Sequence, residues 1–303
     1  MRTLKLLLGY IAVAILATSC VVEINAVDEY VDVNAVVQNH ELWYVDINAS
    51  SGSGEVPFLQ HAFTLTFNNG VLWANNNMVG IGKTGNGLGI RVGEYQVLSY
   101  GLGIAHDVDG YWDFELIVRN NNTIKLYHRP TNSTYVLRGY ERFNFDYDQL
   151  FYDNIAYFLQ EYQAWEKIYT SVNGNTNSFD NENYVQFYSG IRSDRFLSSV
   201  DGVNLPLAAI QWDFEGDYQL YNIANETEVK ALTLSYAGNG DDYFELYVLN
   251  DATIELYQPS SGTTYEFKGR GFQQYLKSGK SSLSRKRFKS VLPTMRVVPQ
   301  KPK

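Results

Sequence analysis

The sequence predicts an all-β protein built from two tandem antiparallel domains, each a meander or small up-and-down barrel. The main observation is an internal repeat: residues 114–139 and 244–269 are identical at 12 of 26 positions when they are aligned without a gap. Agreement of this extent between two short segments indicates a duplicated structural unit. The composition favours the same class, because Tyr (24), Phe (16) and Gly (24) are abundant while Pro (7) is scarce, as is typical of an aromatic-rich β-protein.

Each copy of the repeat is predicted to be a three-stranded meander with one face in water. In the first copy Phe114, Leu116 and Val118 recur at every second position, and this period with one apolar row is typical of a half-buried strand. Segments rich in Asn and Asp separate the strands. These residues are tolerated in tight hairpin turns, so the segments are predicted to be turns. Glu115 and Glu245 are outward, charged and identical. We interpret them as solvated cross-strand partners, with a functional carboxylate in each domain as the alternative.

The chain is long enough for two domains with separate cores, predicted over residues 41–143 and 184–276. Hairpin-linked strands, seven or eight in a domain, can close into a small barrel that side chains fill or that holds one small ligand. Alternating apolar residues and turn residues predict strands at 42–47, 61–67, 71–75, 89–100 and through 112–139 in the first domain, and at 184–191, 207–214, 218–222, 228–236 and through the second meander in the second.

One amphipathic helix is predicted to link the domains, within residues 144–173. Asp146 and Gln149 form a candidate capping box at its start, and Asn173 with Gly174 marks its end. We expect its aromatic stripe to be packing rather than a ligand site. The stripe recurs at spacings of four and three, as one helix face requires, and consists of Phe151, Ile155, Phe158, Tyr162, Trp165 and Tyr169.

The N-terminus has the pattern of an export signal. Arg2 and Lys5 precede an apolar run that is short for a membrane span, and small residues follow at 17–19. Cys20, the only cysteine of the sequence, comes directly after them. This arrangement resembles a bacterial lipoprotein signal, although Ala17 stands where the family usually has Leu. An ordinary secretory signal is the alternative.

The resemblance implies that residues 1–19 are a signal peptide and that Cys20 is the lipid attachment site. Residues 20–40 would then be a lipid-anchored tether to the membrane of the bacterial cell envelope. Val21, rather than Asp, follows the cysteine, which in such lipoproteins goes with the outer membrane. A single cysteine allows no internal disulfide.

The charge of the chain is distributed unevenly. Residues 21–276 hold 13 basic and 33 acidic side chains, a net charge of −20, which argues against a nucleic-acid-binding body. Residues 277–303 hold nine Lys and Arg and no acidic residue. We expect this basic tail to be disordered. The alternatives are that it contacts anionic lipid headgroups or folds back on the acidic body.

Familiar catalytic and ligand motifs are incomplete. The stretch 80–85 satisfies G-x-G-x-x-G, but glycines follow it where a phosphate site needs a helix N-terminus, so we interpret it as a β-loop. The turn 106–110 begins like a calcium loop without its later ligands, and the four His lack metal-ligand spacing. No G-x-S-x-G and no Cys nucleophile is present beyond Cys20. The sequence therefore names no catalytic residue, metal or cofactor, and we expect no enzyme.

The domain pattern is similar to that of small lipocalin-like domains of bacterial lipoproteins. Trp43 opens the first strand, a turn from Phe67 to Gly70 follows, and a meander closes the domain; the second domain has Tyr184 where the opening Trp belongs. The resemblance implies a barrel that binds a small apolar molecule or a glycan, through residues that the sequence does not identify. Filled barrels that dock another envelope protein are the alternative, and a glycan hydrolase is third. Four tryptophans on or beside strands are candidates for sugar stacking or for core: Trp43, Trp73, Trp112 and Trp212.

Overall fold

The structure is a computed structural model that describes residues 32–75, 79–190, 193–238, 240–273 and 291–302. The predicted signal peptide, Cys20 and most of the tether lie outside these residues, as does the tail segment 274–290. From Val33 onward the chain forms one unit.

Barrel 1 is a closed sheet of eight antiparallel strands in up-and-down order, in which the last strand pairs with the first. Its strands are β1 (Leu42–Gly52), β2 (Thr64–Asn68), β3 (Val71–Asn75), β4 (Ile90–Leu98), β5 (Gly101–His106), β6 (Gly110–Asn120), β7 (Thr123–His128) and β8 (Ser133–Tyr140). Short helices occupy the connections: α1 (Val33–Gln38) precedes β1, α2 (Pro57–His61) follows it, and α3 (Ile81–Thr84) follows β3.

Barrel 2 repeats this topology and carries one additional short strand. Its strands are β9 (Tyr162–Thr170), β10 (Tyr184–Ser189), β11 (Asp194–Ser199), β12 (Phe214–Ile223), β13 (Glu226–Tyr236), β14 (Gly240–Asn250), β15 (Thr253–Gln258) and β16 (Thr263–Phe272), and the ninth, β17 (Thr294–Met295), runs parallel to β12. β16 pairs with β9 and β11 pairs with β12, so the barrel is closed. The predicted all-β class with two up-and-down barrels is confirmed.

The two barrels bury equivalent residues of the repeat. Phe114 and Phe244 lie in the two cores, as do Tyr135 and Tyr265. A residue from the connection after the first strand also enters each barrel: Phe58 packs edge-on against Phe114, and Phe179 of the 3-10 helix Ser178–Asn181 packs against Phe244. Large side chains therefore fill both interiors.

The predicted linking helix is shorter than the aromatic pattern indicates. The structure has two short helices, α4 (Tyr147–Asp153) and α5 (Ile155–Leu159), and residues 162–170 form strand β9 instead. Tyr162, Trp165 and Tyr169 satisfy a helical spacing, but closing barrel 2 requires a strand between β16 and β10. Barrel 2 thus begins at Tyr162, before the predicted boundary of 184.

The opening tryptophan of the second domain is Trp165, which corrects the assignment of Tyr184 to that position. Trp43 pairs with Gly139 across the barrel seam, and Trp165 pairs with Gly269 in the same way. The strand predicted at 207–214 was also wrong, because it contains the 3-10 helix Leu207–Ala209 and only the first residue of β12. β5 and β11 were not predicted, because residues 101–106 and 194–199 lie outside every predicted strand.

Two segments expected to be unstructured are folded in their described parts. Residues 33–38 of the predicted tether form α1, whose Val33 and Val37 enter the core of barrel 1. Residues 291–302 of the predicted disordered tail lie on barrel 2, where Met295 joins an apolar cluster. The described part of the tail therefore folds back on the acidic body, which was one of the two alternatives to disorder.

The helices α4 and α5 hold the barrels together. Ile155, Phe158 and Leu159 enter the core of barrel 2, while Leu150 and Tyr157 pack with Phe63 of barrel 1. The Tyr157 hydroxyl lies 2.9 Å from Nδ1 of His61. Most of the predicted aromatic stripe is buried and serves packing, as expected, whereas Tyr169 at its end is 48% exposed.

Candidate functional site

A groove of about 240 Å³ lies on the outer wall of barrel 2. One side is formed by β9 and β10, and the other by the segment 203–213 that connects β11 to β12. Its lining combines three side-chain amides, one indole and small or aliphatic groups: Gln163, Gln186, Gln273, Trp212, Ala164, Leu207 and Ile210.

The outer face of β9 and β10 is apolar, which explains why the segment 203–213 packs against it. Ala164 and Tyr184 point away from the barrel interior, and both are buried beneath Ile210. Leu205, Leu207 and Trp212 complete this small cluster. Burying an alanine and a tyrosine that would otherwise face water stabilises the segment on the wall.

A buried carboxylate anchors the start of the segment. Glu166 on β9 accepts hydrogen bonds from the backbone N–H of Asn204, the Tyr184 hydroxyl and the guanidinium of Arg270. Burial alone would raise the pKa of Glu166, but these three donors outweigh it and leave the pKa below its usual value. Glu166 is therefore charged, and its charge is neutralised by donors of the protein itself.

The groove itself presents neutral polar groups. Gln186 donates from Nε2 to the backbone oxygen of Gln163 at 2.7 Å, so the Gln186 side chain is fixed across the strands. Trp212 is partly exposed at the rim. None of the seven lining residues is ionisable, and amides both donate and accept hydrogen bonds. This arrangement suits a neutral ligand that carries hydroxyl or amide groups and an apolar face.

The four candidate tryptophans have different environments. Trp43 is buried and donates its indole N–H to the backbone oxygen of Val37, so it is core. Trp112 is partly buried and its ring lies 5.0 Å from that of His128. Trp73 is partly buried on β3. Only Trp212, of these four, lines the groove.

The paired glutamates of the repeat are not equivalent. Glu115 pairs with Arg129 on barrel 1, as expected of a cross-strand partner at the surface. Glu245 is instead covered by the C-terminal segment and accepts hydrogen bonds from the backbone N–H groups of Gln300 and Lys301. The interpretation as a solvated partner was therefore wrong for Glu245.

The remaining sequence motifs form no site among the described residues. Within the stretch 80–85 the only helix is the single turn α3, too short to present a row of free N–H groups to a phosphate. In the turn after β5, Nδ1 of His106 accepts a hydrogen bond from the N–H of Asp109 at 3.0 Å, which makes it an ordinary closed turn. In the described part of the chain no three His, Cys, Asp or Glu residues are grouped to hold a metal ion.

A second polar cluster lies inside barrel 2, at the end closed by the 3-10 helix Ser178–Asn181. The ammonium of Lys167 donates to the backbone oxygens of Phe179 and Asp180 at 3.0 and 2.9 Å and lies over the ring of Tyr265. Burial lowers the pKa of Lys167 to about 8. The hydroxyl of Tyr236 lies within hydrogen-bonding distance of Glu182, whose pKa burial raises. These groups satisfy one another, so the cluster is a polar core.

The groove is not predictable from the sequence pattern. Its three glutamines come from β9, from β10 and from the position directly after β16, and they share no spacing. Of the lining residues, only the partly exposed Trp212 was a candidate from the sequence.

Comparison with models of protein families and with curated protein sequences finds no match for this chain. Among the described residues, no helix has both the length and the apolar character needed to cross a membrane.

Proposed function

We propose that the protein is a binding module that holds one neutral sugar unit in the groove on barrel 2. The observation that carries the proposal is the placement of Trp212 beside Gln163, Gln186 and Gln273 around one concave space. An indole face stacks on the apolar face of a pyranose ring, and amides exchange hydrogen bonds with its hydroxyls. The groove is smaller than the roughly 300–1,000 Å³ of sites for drug-sized ligands, which favours a single ring.

The outer wall is the favoured location because large side chains occupy the barrel interiors. Phe58 and Phe179 lie in the positions that a ligand inside a barrel would need. The glycan hypothesis from the sequence is thus retained, while its location moves from the interior to the groove.

The proposal places this module in the bacterial cell envelope, anchored to the outer membrane through a lipid on Cys20. The sequence pattern around Cys20 supports export, and two eight-stranded barrels that both open with a tryptophan support the likeness to lipocalin-like lipoprotein domains. Metabolic labelling with a fatty-acid analogue tests the anchor. We expect label on the wild-type protein and none on Cys20→Ser; equal labelling of both contradicts the anchor.

Binding is tested on an array of envelope-derived mono- and oligosaccharides, followed by calorimetric titration of the glycans retained. We expect Trp212→Ala to weaken binding at least about tenfold, consistent with the loss of about 1.4 kcal/mol or more. Gln163→Ala, a change at an exposed position of the groove, is expected to weaken it less. Trp73→Ala, which removes a tryptophan from barrel 1, is the matched control and should leave affinity unchanged.

The outcome that opposes the proposal is equally specific. If the folded protein retains no glycan, or if Trp212→Ala and Trp73→Ala bind as the wild type does, the groove is not a sugar site.

The second candidate is an assembly function, favoured by the packed barrel interiors. In this role the barrels are rigid bodies whose outer surfaces dock another envelope protein. Cross-linking in intact cells distinguishes the two functions, because an assembly protein gives a defined adduct that Trp212→Ala does not affect.

A further inference from the structure

The C-terminal segment 291–302, here termed the strap, is bound to barrel 2 as an extended peptide. Its strand β17 pairs in parallel with the end of β12. Further along, Met295 and Val297 pack on the outer wall, and Lys301 reaches two glutamates on β14 and β15. The strap thus crosses the outer face of β12, β13, β14 and β15.

Backbone pairing holds the first part of the strap. The N–H of Asn222 donates to the oxygen of Pro293 at 2.8 Å, and the N–H of Ala224 donates to the oxygen of Met295 at 3.0 Å. β11 pairs with β12 from Phe214 to Asp217, which leaves the later part of that edge for the strap. Addition of a strand to a free edge is a common mode of peptide recognition.

Apolar contacts hold the middle of the strap. Met295 and Val297 cover Ile223 and Val229, which would otherwise face water. The cluster is completed by aromatic and small side chains of the same wall: Tyr221, Tyr243, Tyr247 and Ala231. Three tyrosines on one outer face form a surface that accepts extended apolar side chains.

Two carboxylates hold the end of the strap. Glu245 is 1% exposed and accepts from the backbone N–H groups of Gln300 and Lys301. The Lys301 ammonium pairs with Glu255 and lies 4.9 Å from the centre of the Tyr247 ring. A carboxylate facing an aromatic ring is a site for a cation.

The same face of barrel 1 lacks these features. Glu115 occupies the position of Glu245 and pairs with Arg129, and Lys125 occupies the position of Glu255. Tyr100 and Tyr111 of barrel 1 are 52% and 56% exposed. The lysine would repel the basic end of a strap, so the peptide site is specific to barrel 2.

We propose that this face of barrel 2 is a recognition site for an extended basic segment of a partner protein, with the strap as its resident occupant. The partner segment adds a strand to the edge of β12 and places a Lys or Arg between Glu255 and Tyr247. Displacement is feasible because the strap contributes only the two residues of β17 to the sheet. The strap therefore competes with the partner for the site.

The test uses the full chain and a fluorescent peptide with the sequence of residues 291–303, monitored by anisotropy. Lys301→Glu repels the strap from Glu245 and Glu255 and is expected to bind the peptide at least about tenfold more tightly than wild type. Adding Glu245→Gln to this variant should reduce the affinity at least about tenfold. Adding Glu115→Gln, the equivalent change on barrel 1, should leave it unchanged.

Hydrogen exchange on the unmodified protein gives a second measurement. The amides of Asn222 and Ala224 donate to the strap and should exchange faster than those of Leu232 and Leu234 in β13. Equal protection of both pairs of amides would overturn the proposal that the strap can be displaced. Equal affinity of the peptide for wild type and for a folded Lys301→Glu variant would overturn it too. The wild type could also form a dimer in which each copy binds the strap of the other. Such a dimer would mean that the site recognises a second copy of this chain, and it would overturn the assignment to a partner protein.

Discussion

Trp43 and Trp165 occupy the same position in the two barrels. Each donates its indole N–H at 2.8 Å to the backbone oxygen of the residue six positions before it, Val37 for Trp43 and Leu159 for Trp165. The bond ties the first strand of each barrel to the helix that precedes it. The repeat thus includes the helical cap of each barrel as well as its meander.

Replacing either tryptophan by phenylalanine is expected to destabilise its barrel by about 1–3 kcal/mol, because a buried carbonyl loses its donor. Urea unfolding of Trp43→Phe and Trp165→Phe measures the two losses, which should be similar. Trp73→Phe, at a partly exposed position, should cost less than about 1 kcal/mol. A large loss at only one of the buried tryptophans would contradict their equivalence.

The sequence predicted the barrels best where it repeats itself. The meanders follow from alternation in residues 114–139 and 244–269, and β3 was predicted with the bounds Val71–Asn75 that the structure shows. The helix prediction failed beyond Leu159, since aromatic residues at spacings of three and four fit a helix face, while Trp165 and Lys167 also fit one face of a strand. Pairing with β16, which is distant in sequence, decides between these patterns.

The candidate site depends on contacts that sequence patterns do not contain. Gln163 and Gln186 come together because β9 and β10 pair, and Gln273 joins them because β16 closes the barrel against β9. Likewise, the basic composition of the tail predicted disorder, with contact to anionic lipid headgroups or folding back on the acidic body as alternatives. The structure shows contact with Glu245 and Glu255, and carboxylates on two neighbouring strands form this acidic acceptor only in the folded barrel.

Two glycines at the barrel seams are expected to tolerate no side chain. A Cβ at Gly139 would lie 2.0 Å from the His40 ring, and a Cβ at Gly269 would lie 2.5 Å from the ring of Tyr162. We expect Gly139→Ala and Gly269→Ala each to cost about 1–3 kcal/mol, because the ring must move from its place beside the tryptophan. Thermal unfolding measures this, with Gly202→Ala as control.

The control position is open, since a Cβ at Gly202 would meet nothing within 4 Å. Its substitution should change stability by less than about 0.5 kcal/mol. Equal effects of all three substitutions would show that the seam rings adjust without cost.

Acidification is expected to weaken barrel 1. Burial lowers the pKa of His106 and of His128 from the ordinary value of 6.5, and nearby aspartates reverse only part of this effect. Well above pH 6.5 both imidazoles are neutral in the folded and the unfolded protein. As the pH falls, the unfolded chain binds protons first, so the free energy of unfolding decreases until the folded-state pKa values are passed.

Urea midpoints at about pH 7.5 and about pH 5.5 bracket the upper part of this window. His128→Gln introduces the residue that barrel 2 holds at this position, Gln258, and should reduce the loss of stability on acidification. Tyr169→Phe, a change at an exposed position of barrel 2, should not. An unchanged pH dependence in His128→Gln would assign the effect to other groups.

Lys167 is expected to titrate well below an ordinary lysine. Lys167 is 7% exposed in the polar core of barrel 2, and burial lowers its pKa from 10.5 to about 8, with Asp180 and Glu182 opposing the shift. At pH values between these two pKa values, Lys167 is protonated in the unfolded chain and has lost its proton in the folded protein. The free energy of unfolding contributed by this group therefore rises with pH from about 8 to 10.5.

Carbon NMR of protein with labelled lysine εCH₂ groups measures this directly, because the resonance that titrates near pH 8 should be absent from Lys167→Met. The same substitution should reduce the rise in stability with pH, to which buried Lys230 also contributes because burial lowers its pKa. Lys268→Met, at an exposed position of β16, should leave the rise unchanged. Persistence of the low-pKa resonance in Lys167→Met would assign it to another lysine. It would also mean that the two carbonyls and the rings around Lys167 stabilise its ammonium enough to offset burial, so that the cluster carries a fixed positive charge.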